Sequence, residues 1–244
     1  MKPVRSRSRK LIEVDSIGST QTELATYVKQ GREDIAAILA KEQTEGRGRF
    51  GRTWFSPREG SLSLSIALFD YANWPAPQFL GMAIALGAAE ALGCGVVWPN
   101  DLVPPPSHPG LRKLGGVLSE LVRAPDGRLI PVVGIGINIG VESFPGELAG
   151  TATALHLATG ENLTPKEVCE RILGALREVP EPNRWGDIEL RWRAIDRTKG
   201  KLYKLPDGRV ASAIGIGDLG QLIGDVDGVK IEVSSAEGIF GGAI

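Results

Sequence analysis

Residues 43–57, QTEGRGRFGRTWFSP, constrain the fold of this chain more than any other stretch. Three arginines alternate there with three glycines, a composition typical of a loop whose backbone can approach a ligand closely. Apolar segments on either side predict strands over 35–42 and 61–69. Guanidinium groups offer a fixed fork of donors that suits carboxylate and phosphate oxygens. The stretch therefore predicts an arginine loop over an anionic ligand, with a solvated basic loop as the alternative. The arginines are Arg47, Arg49 and Arg52.

The glycines of this loop also fit the pattern G-x-G-x-x-G of dinucleotide-binding folds, at Gly46, Gly48 and Gly51. In those folds a helix follows the last glycine. Here Pro57 and Gly60 follow and lead into a strand pattern, so we reject the dinucleotide fold.

Composition places the chain among ordinary globular proteins. Its 244 residues suit one large domain, or one large and one small domain. A net charge of −1 gives the whole molecule no electrostatic preference for nucleic acid. Cys94 and Cys169 form no disulfide framework and suit a reducing cytoplasm. No stretch is long and apolar enough to span a bilayer, so we expect no membrane contact. The basic residues 1–10 predict a disordered arm.

The first helix is predicted to begin beside two hydroxyl side chains. A strand over 11–14 precedes it, and Gly31 ends it. Ser19 or Thr20 can be the N-cap, and Glu23 completes a capping box if Thr20 is the cap. Free N–H groups and hydroxyls at a helix N-terminus can also bind a polar ligand, and both roles can hold together.

A second informative stretch is WPNDL, residues 98–102, which follows an apolar helix over 78–92 and a short strand. A plain turn and a functional role are both open for it. At a strand end beside a basic loop, Asp101 could hold Mg²⁺ or accept a proton from an amine. The proline-rich segment 104–110 is predicted to project as a longer hairpin.

Two glycine-rich strands are predicted beyond that hairpin. The first covers 113–122 and begins with Lys113, followed by a glycine pair at 115–116 that indicates close approach of a ligand. A solvated lysine is the alternative. The second strand covers 129–139, and its small residues leave room for a flat ring before Asn138.

The residue pattern changes in the C-terminal part of the chain. A helix is predicted over 164–176 with Thr164 as its N-cap, and another over 185–195. After residue 199, short alternating runs meet glycine turns, which predicts a small β-barrel or sandwich.

Taken together, these motifs resemble the biotin–protein ligases, also called biotin–[acetyl-CoA-carboxylase] ligases. The resemblance covers 19–138, and the C-terminal part fits more weakly. It implies an α+β fold: a mixed β-sheet catalytic domain of the class II synthetase/biotin–lipoate ligase type over 11–197, with a small SH3-like β-barrel over 198–244. The matching pieces stand in the family's order: Ser19-Thr20, GRGRFGRTWFSP from Gly46, WPNDL from Trp98, RKLGGVLSE from Arg112 and GIGINI from Gly134.

What the resemblance implies is a two-step reaction with ATP, Mg²⁺ and biotin. The biotin carboxylate attacks the α-phosphorus of Mg-ATP, and pyrophosphate leaves. A lysine amine of a biotin carboxyl carrier protein then attacks the biotinyl-5′-AMP, which gives an amide and AMP. No protein nucleophile is required, so catalysis rests on positioning, charge stabilisation and exclusion of water. A loop that orders over the adenylate would protect it from hydrolysis.

Site residues follow from the same resemblance. Phe50 departs from it, because the family often has a basic residue there, and one phosphate contact is expected to be missing. Asp101 is also the candidate for a metal ligand. The implied catalytic residues are Arg49, Lys113 and Asp101. The implied biotin-binding residues are Ser19, Thr20, Gln21, Gln43, Arg47, Gly48, Arg49, Lys113 and Gly116. The implied ATP-binding residues are Arg47, Arg49, Arg52, Trp54, Asn100, Lys113 and Asn138.

Some relatives carry an N-terminal winged helix that represses biotin synthesis genes, and this sequence has no room for one. We therefore expect no sequence-specific DNA binding. The family often forms homodimers through the catalytic sheet, which makes a homodimer an expectation here. Three alternatives stay open: a lipoate–protein ligase of similar fold, a non-catalytic biotin-binding module, and a nucleic-acid-binding protein. The arginine loop and WPND favour the biotin branch, and the net charge disfavours nucleic acid.

Overall fold

The computed structural model describes residues 9–240 and contains two β-sheets. The larger sheet has seven strands in the order β1-β2-β3-β7-β6-β5-β4. Its β1 and β2 are parallel, and the remaining neighbours are antiparallel. This mixed sheet confirms the predicted fold class. The strands are β1 (Lys10–Val14), β2 (Ile35–Ala40), β3 (Ser61–Ala67), β4 (Gly95–Val97), β5 (Asp101–Val103), β6 (Gly115–Arg123) and β7 (Leu129–Asn138).

Helices cover both faces of the large sheet. Every residue of β2 is buried, because its alternate side chains enter two separate cores. Leu39 belongs to the core under the helices that begin at Pro77 and Pro165, and Ile38 belongs to the core under the helix that begins at Thr20. Within residues 9–240, no helix has the length and apolarity that a membrane crossing needs. The helices are α1 (Thr20–Lys29), α2 (Pro77–Ala91), α3 (Leu148–Thr151), α4 (Leu155–Thr159), α5 (Pro165–Leu176) and α6 (Glu189–Ile195).

Strand β3 separates an apolar face from a polar one. Successive side chains of a strand point to opposite faces, and serine alternates here with leucine or isoleucine. The apolar side chains belong to the core under α2 and α5. The serines lie on the opposite face, beside the start of α1, where Ser65 contacts Thr20. The apolar set is Leu62, Leu64 and Ile66, and the polar set is Ser61, Ser63 and Ser65.

Helix ends follow local sequence at two places and depart from it at a third. Ser19, rather than Thr20, caps α1, and its Oγ accepts from the N–H of Thr22. Thr164 caps α5 as predicted, and the structure adds a complete capping box with Glu167. The single helix predicted over 185–195 is wrong. A 3₁₀ turn over Trp185–Asp187 precedes α6, since Ile188 leaves the helical region at φ −121° and ψ −10°.

The smaller sheet is antiparallel, with five strands in the order β11-β10-β9-β8-β12. Trp98 joins it to the large sheet, because its indole N–H donates to the Gly220 carbonyl over 2.9 Å and its own carbonyl accepts from the Tyr203 hydroxyl over 2.8 Å. The strands are β8 (Leu202–Lys204), β9 (Val210–Ile216), β10 (Leu222–Val226), β11 (Val229–Val233) and β12 (Glu237–Gly238).

Three details refine the predicted organisation. Residues 1–8 of the predicted basic arm lie outside the described residues, whereas Lys10 is already part of β1. The domain boundary at 197/198 stays a prediction. The segment 104–110 lies in the connection of the antiparallel pair β5 and β6, as predicted, and the Arg197 guanidinium donates to the carbonyls of Pro104, Pro105 and Gly110.

Candidate functional site

A cavity of about 930 Å³ opens between the start of α1, the polar faces of β3 and β7, the arginine loop and the end of β12. Every site residue implied by the sequence lines this one cavity, which we call the cleft. The fold thus brings together residues from 19 to 138, although the individual role of each stays a prediction.

Hydrogen-bonded side chains form the floor of the cleft. Thr20 Oγ1 lies 2.8 Å from Ser65 Oγ and 3.0 Å from Gln43 Oε1. The other end of the Gln43 amide donates to Ser63 Oγ over 3.3 Å. Sequence reasoning found Thr20 and Gln43 but missed Ser63 and Ser65. The strict alternation of serine with apolar residues in β3 was the available signal.

One carboxylate joins this floor to the arginine loop. Glu120 Oε2 accepts from Gln21 Nε2 over 3.0 Å, and Glu120 Oε1 lies 3.1 Å from Arg47 Nη2. The same guanidinium donates to Thr22 Oγ1 over 3.3 Å. Sequence reasoning missed Glu120, because a glutamate in a half-exposed strand is ordinary until its partners are known.

A side-chain hydrogen bond holds Arg49 in the cleft. Its Nη1 donates to Asn100 Oδ1 over 2.9 Å, and the Asn100 amide donates in turn to the Val117 carbonyl. Burial lowers the pKa of Arg49, and the charges of Asp101 and Glu237 oppose that shift. A partly desolvated guanidinium attracts an incoming anion more strongly than a fully hydrated one.

Phe50 occupies the exposed tip of the loop. Its φ of 56° lies in the left-handed region, and 59% of the residue is accessible to solvent. The Arg49 guanidinium carbon lies 4.8 Å from the centre of its ring. The phenyl ring of Phe50 carries no charge, so it does not make the phosphate contact that a basic residue would make at this position.

Lys113 and Asp101 form an ion pair in the cleft, with 2.7 Å between Nζ and Oδ1. The lysine does not open β6 as predicted. Its N–H donates to the Thr151 carbonyl and its carbonyl accepts from Thr153, so the strand begins only at Gly115. This backbone bridge fixes the lysine stem beside the carboxylate.

The small residues of β7 leave room for a flat ring, and the indole of Trp54 occupies that room. A Cβ atom on Gly136 would lie 2.5 Å from Cε2 of Trp54, so the indole rests directly on that glycine. Lys113 Nζ lies 5.9 Å from the centre of the same ring. Trp54 therefore lies between the floor and the Lys113–Asp101 pair.

The smaller sheet supplies one wall of the cleft through Glu237, Gly238, Ile239 and Phe240. Glu237 forms an ion pair with Arg52 of the arginine loop. Behind the wall, Lys201 is 4% exposed, and its Nζ donates to the Ile239 carbonyl over 2.6 Å. Burial lowers the pKa of Lys201 to about 8. Sequence reasoning missed this wall, because the weakly matching C-terminal part carried no site motif.

No cluster of three or more His, Cys, Asp or Glu side chains that could hold a metal occurs within residues 9–240. Asp101 contributes a single carboxylate, and one of its oxygens faces Lys113. Mg²⁺ is usually held by one or two carboxylates together with substrate phosphates. The donor set is therefore compatible with a magnesium ion that accompanies a nucleotide, and Asp101 as its ligand stays a prediction.

A polar floor, an arginine loop and a lysine–carboxylate pair around one cleft form a site that suits a small polar ligand together with an anionic group. Comparison with known proteins identifies the family. The sequence matches the Biotin/lipoate A/B protein ligase family over residues 13–139, just over half of the chain. The chain belongs to that family.

Individual relatives agree with this assignment. The chain is 28% identical over 247 residues to the Biotin--[acetyl-CoA-carboxylase] ligase of Mycobacterium tuberculosis, covering 94% of this chain and 88% of that protein. It is 32% identical over 171 residues to the Bifunctional ligase/repressor BirA of Bacillus spizizenii, covering 67% of this chain. The chain spans about half (51%) of the length of that relative.

Solved structures agree as well. The Biotin protein ligase from Aquifex aeolicus in complex with biotin and ATP is similar to this structure with a TM-score of 0.74 and 27% sequence identity. The similarity covers 94% of this chain and 97% of that chain.

Proposed function

We propose that this protein is an ATP-dependent biotin–protein ligase. It would activate biotin as biotinyl-5′-AMP and transfer the biotinyl group to a lysine of a biotin carboxyl carrier protein. One observation carries the proposal: the arginine loop and the Lys113–Asp101 pair line a single polar cleft. That arrangement suits a reaction in which a carboxylate and a triphosphate, both anionic, must be brought together.

The two positive side chains have separate tasks in this proposal. Arg49, fixed by Asn100, would neutralise the approaching carboxylate and phosphate oxygens. Lys113 would stabilise the charge that develops as the anhydride forms and as AMP later leaves. Neither task requires a covalent intermediate on the protein. Trp54 and the loop would cover the adenylate and exclude water, which otherwise hydrolyses a mixed anhydride.

Partners follow from the same proposal. Magnesium would enter with ATP and use Asp101 as its protein ligand, supplying further neutralisation of phosphate charge. The acceptor would be the lysine of a carrier domain, and the protein would act in the cytoplasm, which agrees with its two free, buried cysteines. A homodimer stays an expectation from the family resemblance.

A lipoate–protein ligase is the second candidate, because the matching family includes both activities. The floor argues for biotin. Thr20, Gln43 and Ser65 present hydroxyl and carbonyl oxygens to which the N–H groups of a cyclic urea can donate, whereas a dithiolane ring has no N–H to offer them. A floor of this kind favours the ring that brings a hydrogen-bond donor.

The test is ATP–pyrophosphate exchange with biotin or lipoate as the acid. We expect exchange with biotin only, and a large loss in Arg49→Ala and Lys113→Ala. Arg171→Ala is the matched control, because Arg171 forms an exposed ion pair with Glu161 outside the cleft. A wild-type protein that binds biotin but catalyses no exchange would leave a binding module instead of a ligase.

A further inference from the structure

We propose that Glu120 is a positioning residue. It orients a polar side chain of the floor and holds the arginine loop in its ligand-free position. One carboxylate oxygen fixes the orientation of the Gln21 amide, and the other holds Arg47. Through these contacts, Glu120 would favour a ligand ring that carries an N–H group. The inference deepens the proposed function and rests on it for the identity of that ring.

The orientation of Gln21 follows from the atoms around its amide nitrogen. Nε2 lies 3.0 Å from Glu120 Oε2 and 2.9 Å from the Val132 carbonyl oxygen. A carboxylate and a carbonyl only accept hydrogen bonds, so both must face the NH₂ end of the amide. The carbonyl end of Gln21 is thereby turned towards Ser65 Oγ, 3.2 Å away. Without Glu120, one of the two acceptors that fix this orientation is lost.

The Gln43 amide is oriented by the backbone. Its Oε1 accepts from the N–H of Thr20 over 2.8 Å, and a backbone N–H can only donate. Two carbonyl oxygens, from Gln21 and Gln43, therefore enclose the hydroxyls of Thr20 and Ser65.

The hydroxyls of Thr20 and Ser65 carry too few protons to supply a donor for every contact that they make. The four oxygens make three contacts: Gln43 to Thr20 at 3.0 Å, Thr20 to Ser65 at 2.8 Å, and Ser65 to Gln21 at 3.2 Å. Only the two hydroxyls bring protons, so one contact always lacks a donor. An N–H group of a ligand can donate to one of these oxygens and complete the set. If the Gln21 amide were flipped, its NH₂ group would donate to Ser65 Oγ. The floor would then no longer need a donor from the ligand.

The second oxygen of Glu120 acts on the loop. Arg47 and Glu120 are both partly exposed, and ion pairs of this kind are weak and exchangeable. An anion in the cleft can therefore compete for Arg47, while Glu120 keeps its bond to Gln21. The resting contact restrains the loop near the cleft without blocking its closure.

The experiment separates the two contacts with two substitutions. Glu120→Gln retains a carbonyl that can accept from Gln21 but loses the charge that holds Arg47. Glu120→Met loses both. We expect biotin affinity, measured calorimetrically without ATP, to stay within about threefold for Glu120→Gln and to fall about tenfold or more for Glu120→Met, the scale of leaving buried polar groups unpaired. Glu161→Met is the control, because its ion pair with Arg171 is also partly exposed and lies outside the cleft.

A double variant tests whether Glu120 acts through Gln21. If it does, Glu120→Met combined with Gln21→Ala binds biotin no more weakly than Gln21→Ala alone. Losses that add, or equal losses in Glu120→Gln and Glu120→Met, overturn the effect on the floor.

Hydrogen exchange of the ligand-free protein tests the loop contact without biotin. We expect faster amide exchange over residues 44–55 in both Glu120 variants and unchanged exchange in Glu161→Met. Unchanged exchange in the Glu120 variants overturns the contact with the loop. A wild type that binds no biotin overturns the proposed function and the effect on the floor together, whereas normal biotin binding by Glu120→Met overturns this inference alone.

Discussion

Lys113 Nζ lies 2.7 Å from Asp101 Oδ1, and Gly116 makes that approach possible. Asp101 pairs with Gly116 across β5 and β6. A Cβ atom at residue 116 would lie 3.1 Å from Asp101 Oδ1 and 3.3 Å from Lys113 Cε. The side chain of Asp101 is 10% exposed and that of Lys113 is 34% exposed. The carboxylate is therefore fixed and sheltered, while the ammonium keeps access to the cleft.

The first prediction concerns this pair. Asp101→Asn keeps the size of the side chain but removes the charge that orients Lys113 and that could hold magnesium. We expect biotin-dependent ATP–pyrophosphate exchange to fall about 100-fold, the scale of losing one preorganised electrostatic contact. Asp34→Asn is the control, since its exposed ion pair with Arg32 lies away from the cleft. Exchange within tenfold of the wild type would contradict a catalytic role for Asp101.

The second prediction tests the packing of the Trp54 indole on Gly136. In Gly136→Ala, the new Cβ would lie 2.5 Å from Cε2 of the indole, so the ring must move. Overpacking of this kind costs about 1–3 kcal/mol, and we expect the KM for ATP to rise about tenfold or more. Gly140→Ala is the matched control at the end of the same segment, because its Cβ would meet nothing within 4 Å. Equal kinetics in the two variants would show that Trp54 does not contribute to the nucleotide side.

The third prediction concerns pH and Lys201. Burial lowers its pKa from 10.5 to about 8; Asp101 opposes that shift and Lys113 adds to it. Between these two pH values the unfolded state binds more protons than the folded state, so the free energy of unfolding rises with pH. Relative to Lys201→Met, the wild type should gain about 1 kcal/mol between pH 7.5 and 9.

Denaturant unfolding of both proteins at each pH measures this difference. The range stops at pH 9 because burial raises the pKa of Cys169 to about 11 and that of Cys94 to about 12. Above the ordinary thiol pKa these cysteines make stability fall with pH, in the wild type and the variant alike. Parallel curves for the two proteins would mean that the folded state keeps Lys201 protonated throughout this range, so that its pKa lies close to that of the unfolded chain.

The fourth prediction separates stability from activity. Thr164 caps α5 and forms a complete capping box with Glu167. Thr164→Ala should lower the free energy of unfolding by about 1 kcal/mol and leave pyrophosphate exchange unchanged, since α5 lies outside the cleft. Lys166→Ala, exposed in the first turn of the same helix, is the control for a nearby substitution without a cap. Equal stability of the two variants would contradict the capping role.

Local sequence was enough for features that depend on neighbouring residues. The capping box at Thr164, the alternation in β3 and the arginine loop each follow from residue types only a few positions apart. Most predicted strands appear within two residues of their expected ends, because periodicity reports which face of a strand is buried. The motifs also nominated the residues from Ser19 to Asn138 that line the cleft.

Contacts between distant parts of the chain required the tertiary structure. Glu120 meets Gln21 across 99 positions, and Lys201 meets Ile239 across 38. In sequence, each of these charged residues is indistinguishable from a solvated one, because charge alone does not reveal burial or a partner. Only the order of the strands brings β7 beside β3 and β12 to the edge of the cleft. Strand order depends on long-range pairing and packing, which local periodicity does not encode.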